Sequence, residues 1–135
     1  MKKLLVFIVL ISLCNCDTKN ELPSVTDPQQ AILGKWEIVE KGNWPSLEPY
    51  PASGYSEYLS DSVVRFFDYY QNQFTSQTNY WIDDSLLYID IGYSLENGHQ
   101  LVTTYEYLFF DSNNKLRLDI QAFAVFTTSI YQRIK

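Results

Sequence analysis

The chain has 135 residues, enough for one domain, and its formal net charge is −6. This acidic balance argues against nucleic-acid binding, which needs a basic surface, and equally against a polybasic membrane patch. Aromatic residues make up 16% of the chain and include eleven tyrosines. Because Tyr and Phe suit pleated, half-buried surfaces, this composition favours β-structure.

The N-terminus has the pattern of a secretory signal peptide. Lys2 and Lys3 precede an apolar run of ten residues, residues 4–13, which is too short to span a bilayer and fits the h-region of an export signal. Two cysteines, Cys14 and Cys16, follow this run directly. A cysteine at this place resembles the bacterial lipobox, in which a diacylglycerol is attached to a Cys thiol that becomes the new N-terminus.

We assign the lipid attachment to Cys16, because it adjoins a polar segment and has Leu13 at the third position before it. Cys14 is the alternative, and Asn15 stands where the lipobox prefers a small residue. Two or three acyl chains would hold the protein stably at a membrane. We therefore expect a cell-envelope protein, with the outer membrane favoured and the bilayer as its partner through the N-terminal lipid.

The predicted organisation is a signal peptide over residues 1–15, a flexible polar stalk over 16–26 and one domain over 27–135. Both cysteines lie before the domain. The domain is therefore expected to have no disulfide, no thiol nucleophile and no Cys-containing zinc site.

The domain alternates apolar and polar residues in short segments. Asp27 and Pro28 indicate one short helical turn that ends before Gly34. Strands are predicted at 35–40, 62–67, 74–82, 86–91, 101–110, 116–120 and 129–134. The apolar segment 122–127 either continues the sheet or covers one end of the barrel. Within 74–82, the residues expected on one face are Phe74, Ser76, Thr78, Tyr80 and Ile82. Asn97-Gly98 is a hairpin signal, whereas the prolines and glycines of residues 42–56 predict a long loop.

These segments predict an all-β fold, namely a small antiparallel up-and-down β-barrel of about seven or eight strands. The meander of hairpins and the lack of a free hydrophobic edge favour a closed barrel over a sandwich.

Two motifs at the ends of the domain carry a family resemblance. Gly34-Lys35-Trp36 opens the first strand, and the chain ends in residues 130–135, IYQRIK. Their order and spacing resemble the G-x-W start and the Y-x-R-I-K end of lipocalin-like domains in small Bacteroidetes lipoproteins, over residues 27–135. The resemblance implies that Arg133 packs over Trp36 and closes the bottom of the barrel, a cation–π contact of about 0.5–2 kcal/mol. The chain is shorter than true lipocalins and lacks their long C-terminal helix.

The sequence has few residues suited to catalysis. His99 is the only histidine, and it adjoins the predicted turn at Asn97-Gly98. A catalytic triad or a His-ligated metal would need partners that are not nearby in the sequence. Asp83-Asp84 indicates a turn rather than a cation site, because the regular spacing of oxygen ligands is missing. We expect no enzyme activity, no catalytic residues, no metal and no cofactor.

Two functions stay open. In the first, the lipocalin-like barrel binds a small apolar or amphipathic ligand in the envelope, since an eight-stranded barrel can hold one small ligand. The candidate lining residues are Thr78, Tyr80, Thr103, Tyr105 and Tyr107. In the second, a filled barrel serves as a monomeric interaction or structural module for an envelope protein. Its candidate contact surface is the 42–56 loop, with Trp44, Tyr50 and Tyr55.

Both faces of segment 101–110 are apolar, so the alternation does not decide which face lines the interior. A connected cavity of a few hundred Å³ would favour a ligand, and a packed interior would favour the module.

Overall fold

The computed structural model describes residues 27–122 and 125–135, which form a short helix and nine antiparallel strands. The predicted signal peptide, the stalk and both cysteines lie outside the described residues, as do residues 123 and 124 of the apolar segment 122–127. The elements are α1 (Pro28–Ala31), β1 (Gly34–Asn43), β2 (Ser46–Pro49), β3 (Gly54–Tyr58), β4 (Val63–Asp68), β5 (Gln73–Ile82), β6 (Leu86–Tyr93), β7 (Gln100–Phe110), β8 (Lys115–Ala122) and β9 (Val125–Ile134).

The sheet closes on itself between β1 and β9. These two strands pair from Lys35 opposite Ile134 to Gly42 opposite Thr128. The other barrel strands follow in sequence order from β3 to β9, so eight strands form a closed barrel. Strand β2 is an additional strand that pairs with the second half of β1. The predicted fold class, a small antiparallel β-barrel with a short N-terminal helical turn, is confirmed. Over the described ranges, no helix is long and apolar enough to cross a membrane.

The prediction of one long loop over residues 42–56 is wrong. Strand β1 continues to Asn43, a turn at Trp44-Pro45 leads into β2, and β3 begins at Gly54. Prolines fit here because β2 lies at an edge of the sheet, where a missing N–H breaks no ladder on its outer side. Proline content therefore marked an edge strand and its turns rather than an extended loop.

Strand β5 departs from the predicted alternation at its start. Phe66 pairs with Ser76, but Phe67 pairs with Phe74, so Thr75 is an extra residue in this ladder. A bulge of this kind re-aims the side chains beyond it. Phe74 accordingly lies on the outer face, where its ring centre is 5.3 Å from that of Phe67. The prediction that Phe74 shares a face with the rest of the strand is wrong.

One end of the barrel, here called the closed end, is covered by α1 and the residues after it. The carboxylate of Asp27 accepts a hydrogen bond from the Gln29 N–H at 2.9 Å and caps the helix. Ile32 is completely buried, and its carbonyl accepts a hydrogen bond from Trp36 Nε1 at 2.7 Å. The helical turn is thus tied to the first barrel strand.

Arg133 joins the last strand to this end. Its Cζ lies 4.3 Å from the centre of the Trp36 ring. The guanidinium also donates hydrogen bonds to the carbonyls of Leu33 and Ala31. Gly34 has a φ of +111°, and a Cβ there would lie 2.9 Å from Nη1 of Arg133. Glycine is required at this position because the backbone conformation and the nearby guanidinium both exclude a side chain.

The hydrophobic core fills the half of the barrel next to the closed end. Its largest fully buried side chains are Trp36, Ile32, Leu87, Leu116 and Val64. The register of β7 decides its inner face, since Tyr105 pairs opposite Leu87 and Tyr107 opposite Leu118. The inward residues of β7 are Thr103, Tyr105, Tyr107 and Phe109.

Candidate functional site

Inward-facing side chains become smaller with distance from the closed end. In β3 the inner positions change from Tyr58 to Ser56, and in β7 they change from Tyr105 to Thr103. The same change occurs in β5, where Ile82 and Tyr80 are followed towards the open end by Thr78 and Ser76. Protein interiors are normally close-packed, and short side chains in this half leave the barrel unfilled.

The result is a cavity of about 470 Å³ in the open half of the barrel. This volume is within the range of small-molecule sites. The lining residues are Ser56, Tyr58, Phe66, Ser76, Gln77, Thr78, Ile89, Asp90, Ile91, Gly92, Thr103, Tyr105, Leu118 and Tyr131. A second cavity of about 350 Å³ lies towards β1 and shares Ser56, Phe66 and Tyr131 with the first.

The barrel wall opens between β5 and β6. These strands pair only over Tyr80–Ile82 and Leu87–Ile89. Next to the last pair, the hydroxyl of Thr78 donates a hydrogen bond to the Asp90 carbonyl at 2.7 Å. Farther towards the open end, the described parts of β5 and β6 form no ladder pairs. The cavity therefore reaches the surface through the side of the barrel, beside the exposed side chain of Ile91.

Three tyrosines form the floor of the cavity, and we call Tyr58, Tyr105 and Tyr131 the tyrosine group. Burial raises the pKa of Tyr58 well above its usual value, and the nearby Tyr131 and Tyr105 raise it further. Burial raises the pKa of Tyr131 to about 12, with Tyr105 contributing and a hydrogen bond from Ser129 acting the other way. Burial also raises the pKa of Tyr105. All three phenols are therefore neutral hydrogen-bond donors at physiological pH.

Two of these donors are free to bind something else. Among the side chains that the structure describes, those of residues 27–120 and 127–135, the hydroxyls of Tyr58 and Tyr105 have no hydrogen-bond partner. The Tyr58 side chain is also 96% buried, since only 4% of it is exposed. A buried hydroxyl that faces a cavity without a partner is a ready contact for a ligand oxygen.

Among the described residues that line the cavity, Asp90 is the single charged one. Its carboxylate accepts hydrogen bonds from the Gly92 N–H at 2.8 Å and from Gln100 Nε2 at 2.9 Å. These contacts direct the charge towards the β6–β7 hairpin. No lysine, arginine or histidine is among the lining residues. Apart from Asp90, these lining residues present hydroxyls, the Gln77 amide and apolar groups.

The five lining candidates from the sequence fall into two sets. Thr78, Thr103 and Tyr105 line the cavity. Tyr80 and Tyr107 lie closer to the closed end, where their hydroxyls donate to the carbonyls of Leu59, at 2.8 Å, and Asp83, at 2.5 Å. Those two phenols are occupied by the protein itself, and they stabilise the packed half of the barrel.

Sequence reasoning missed Tyr58 and Tyr131. Tyr58 ends β3, a strand that begins inside the segment interpreted as a loop. Tyr131 could have been found, because residues two apart in a strand share a face. An inward Arg133 places Tyr131 inside as well.

The residues of the predicted contact loop lie on two separate surfaces. Trp44, at the turn between β1 and β2, is 56% exposed, and Arg117 Cζ lies 4.0 Å from the centre of its ring. Tyr50 is exposed after β2. Tyr55 lies instead on the outer face of β3, stacked on Phe67 with ring centres 4.9 Å apart.

The polar candidates occupy turns. His99 is exposed before β7. The carboxylate of Asp83 accepts hydrogen bonds from the N–H groups of Ser85 and Leu86, both at 2.8 Å, as in a side-chain-stabilised turn. These bonds lower the pKa of Asp83. Within the described ranges, no group of three or more His, Cys, Asp or Glu residues is placed to hold a metal ion.

Comparison with known proteins supports the fold alone. No family model matches the chain, and no curated protein matches it. The chain is similar to the crystal structure of an uncharacterized protein from Bacteroides eggerthii DSM 20697, with a TM-score of 0.54 and 13% sequence identity. The match covers 76% of this chain and 99% of that chain. At this identity the similarity concerns the β-barrel architecture.

Proposed function

We propose that this protein is a lipid-anchored lipoprotein of the cell envelope whose lipocalin-like barrel binds a small apolar or amphipathic ligand. The observation that carries the proposal is the cavity of about 470 Å³, which opens to the surface through the barrel wall. Apolar side chains and unoccupied hydroxyls line the same space, a combination typical of small-molecule sites. The proposed role is binding or carriage of the ligand rather than catalysis.

The position of the domain's first residue affects how a lipid anchor would orient the barrel relative to the membrane. Asp27 caps α1 at the closed end, so a stalk that precedes Asp27 joins the barrel at that end. Attachment of a lipid at Cys16 would therefore place the closed end near the bilayer. The side opening of the cavity between β5 and β6 would then be accessible to a ligand from the aqueous phase next to the membrane.

Ligand binding can be tested with the neutral fluorescent probe N-phenyl-1-naphthylamine. We expect saturable binding of one probe per barrel, because the cavity is apolar enough to take up an aromatic amine. Thr103→Trp fills part of the cavity and should weaken binding at least about tenfold, or about 1.4 kcal/mol. Thr104→Trp is the matched control. Thr104 adjoins Thr103 in β7 but its side chain faces outwards, so this variant should bind the probe as the unmodified protein does. Lack of saturable binding by the unmodified protein would contradict the proposal.

Lipid attachment can be tested by metabolic labelling with radioactive palmitate in the native host. We expect the label on the unmodified protein and on Cys14→Ser, but not on Cys16→Ser, because only Cys16 adjoins the polar segment. Labelling of Cys16→Ser together with loss of label from Cys14→Ser would move the attachment to Cys14. An unlabelled wild-type protein would refute the anchor.

The second function, an interaction module for an envelope protein, is favoured by one observation. Trp44 and Tyr50, which flank the two ends of β2, are about half exposed, at 56% and 44%. Exposed aromatic residues are enriched at protein–protein contacts. The unfilled cavity argues against the filled barrel that this alternative assumes. Purification from the native membrane distinguishes the two, since a stoichiometric partner protein supports the module and a co-purifying small molecule supports the ligand.

A further inference from the structure

The cavity floor has a chemistry that restricts the ligand class, an inference that rests on the proposed binding function. Tyr58, Tyr105 and Tyr131 all line the cavity there. Each phenol is an uncharged donor, and the hydroxyls of Tyr58 and Tyr105 have no partner among the described residues. A ligand group that meets them must therefore accept hydrogen bonds.

The cavity also lacks the means to hold a negative charge. An ionised carboxylate that leaves water needs a cation or a full set of donors to offset its lost hydration. No cationic side chain is among the lining residues, and the one charged residue there, Asp90, is acidic. The two carboxylate oxygens of Asp90 accept hydrogen bonds from Gly92 and Gln100, so the protein itself already occupies part of their acceptor capacity.

We propose that the cavity selects uncharged amphipathic ligands, with an ester, ketone or ether oxygen hydrogen-bonded to the tyrosine group and the apolar part against Phe66, Ile89 and Leu118. The ligand oxygen accepts the O–H of Tyr58 and Tyr105, which the fold leaves unpaired. The same site discriminates against the carboxylate of a free fatty acid. Neutral esters are thus separated from the ionised forms of their parent acids chiefly by charge.

The test compares methyl octanoate with octanoate at pH 8, where the acid is ionised, as competitors of bound N-phenyl-1-naphthylamine. The two molecules share the same acyl chain and differ in charge and in one methyl group. We expect the ester to compete at least tenfold more strongly. Tyr105→Phe and Tyr58→Phe each should weaken ester binding about three- to tenfold, the effect of one lost hydrogen bond. Tyr88→Phe is the matched control, because that hydroxyl bonds to Asp83 on the surface, and it should leave ester binding unchanged.

The possible results are distinct. If the protein binds the probe but octanoate competes as strongly as the ester or more strongly, the proposed selectivity is wrong and the binding function stands. If the protein binds the probe and both Tyr58→Phe and Tyr105→Phe keep the full affinity for the ester, the proposed role of the tyrosine group is wrong. Failure of the unmodified protein to bind the probe overturns both the binding function and the inference built on it.

Discussion

Trp36→Ala should lower the free energy of unfolding by about 3–5 kcal/mol, the range for removal of a buried large aromatic side chain. Trp36 is 1% exposed and lies where the helical turn, the first strand and the last strand meet. Alanine would leave a void beneath Arg133 and remove the Nε1 hydrogen bond to the Ile32 carbonyl. The helical turn that covers the closed end would lose its attachment to the barrel.

The measurement is urea unfolding followed by circular dichroism, with Trp44→Ala as the matched control. Trp44 is the same residue type with 56% of its side chain exposed, so its loss should cost less than about 1 kcal/mol. His99→Ala, at an exposed position, should be close to neutral. Equal stability of Trp36→Ala and the wild type would show that Trp36 does not hold the closed end.

Alkaline pH should destabilise the protein strongly, because burial keeps several tyrosines protonated in the folded state, whereas the same tyrosines lose their protons near pH 10 in the unfolded state. The pKa of Tyr131 rises from 10.0 to about 12 on burial. A raised pKa in the folded state means that the stabilisation is complete below pH 10 and is lost as pH rises towards 12. For Tyr131 alone the loss amounts to about 3 kcal/mol. Tyr58, Tyr80 and Tyr105 act in the same direction.

The comparison is between wild type and Tyr131→Phe in urea unfolding at pH 8, 10, 11 and 12. Phenylalanine cannot ionise, so the variant should lose stability less steeply as pH rises. The slopes of the two proteins should differ by at most about 1.4 kcal/mol per pH unit. The values at pH 8 serve as the internal control for any packing change. Parallel pH profiles for the two proteins would mean that Tyr131 is not desolvated in the folded state.

The barrel class could be predicted because it depends on local patterns. Alternation in segments such as 86–91 predicts strands, and turn residues such as Asp83 predict hairpins. Both patterns involve only a few neighbouring residues. The helical turn at Pro28 could also be predicted, because the Asp27 carboxylate caps it through a hydrogen bond from the N–H of Gln29, only two residues away. The strand β2 was missed because its prolines resemble those of a loop, and only its edge position makes them acceptable.

The lining of the cavity could be predicted only in part. Thr78, Thr103 and Tyr105 could be predicted, because they are small or aromatic residues in segments that clearly alternate as strands. Tyr107 lies on the same face as Tyr105, and its different environment follows from distance along the barrel axis. No pattern within one strand records that distance, because it depends on how neighbouring strands are staggered.

The sequence by itself determined an acidic, tyrosine-rich, all-β domain, because composition and alternation act over a few residues. The tertiary structure alone decided which faces turn inwards and where the interior stays empty. Bulges near Val39, Thr75 and Ile91 shift the pairing registers of β1, β5 and β6 without a signature in the hydrophobic pattern. Strands β5 and β6 then separate beyond Thr78, and the short side chains of neighbouring strands meet around one space. The cavity thus arises from register, which is a relation between strands.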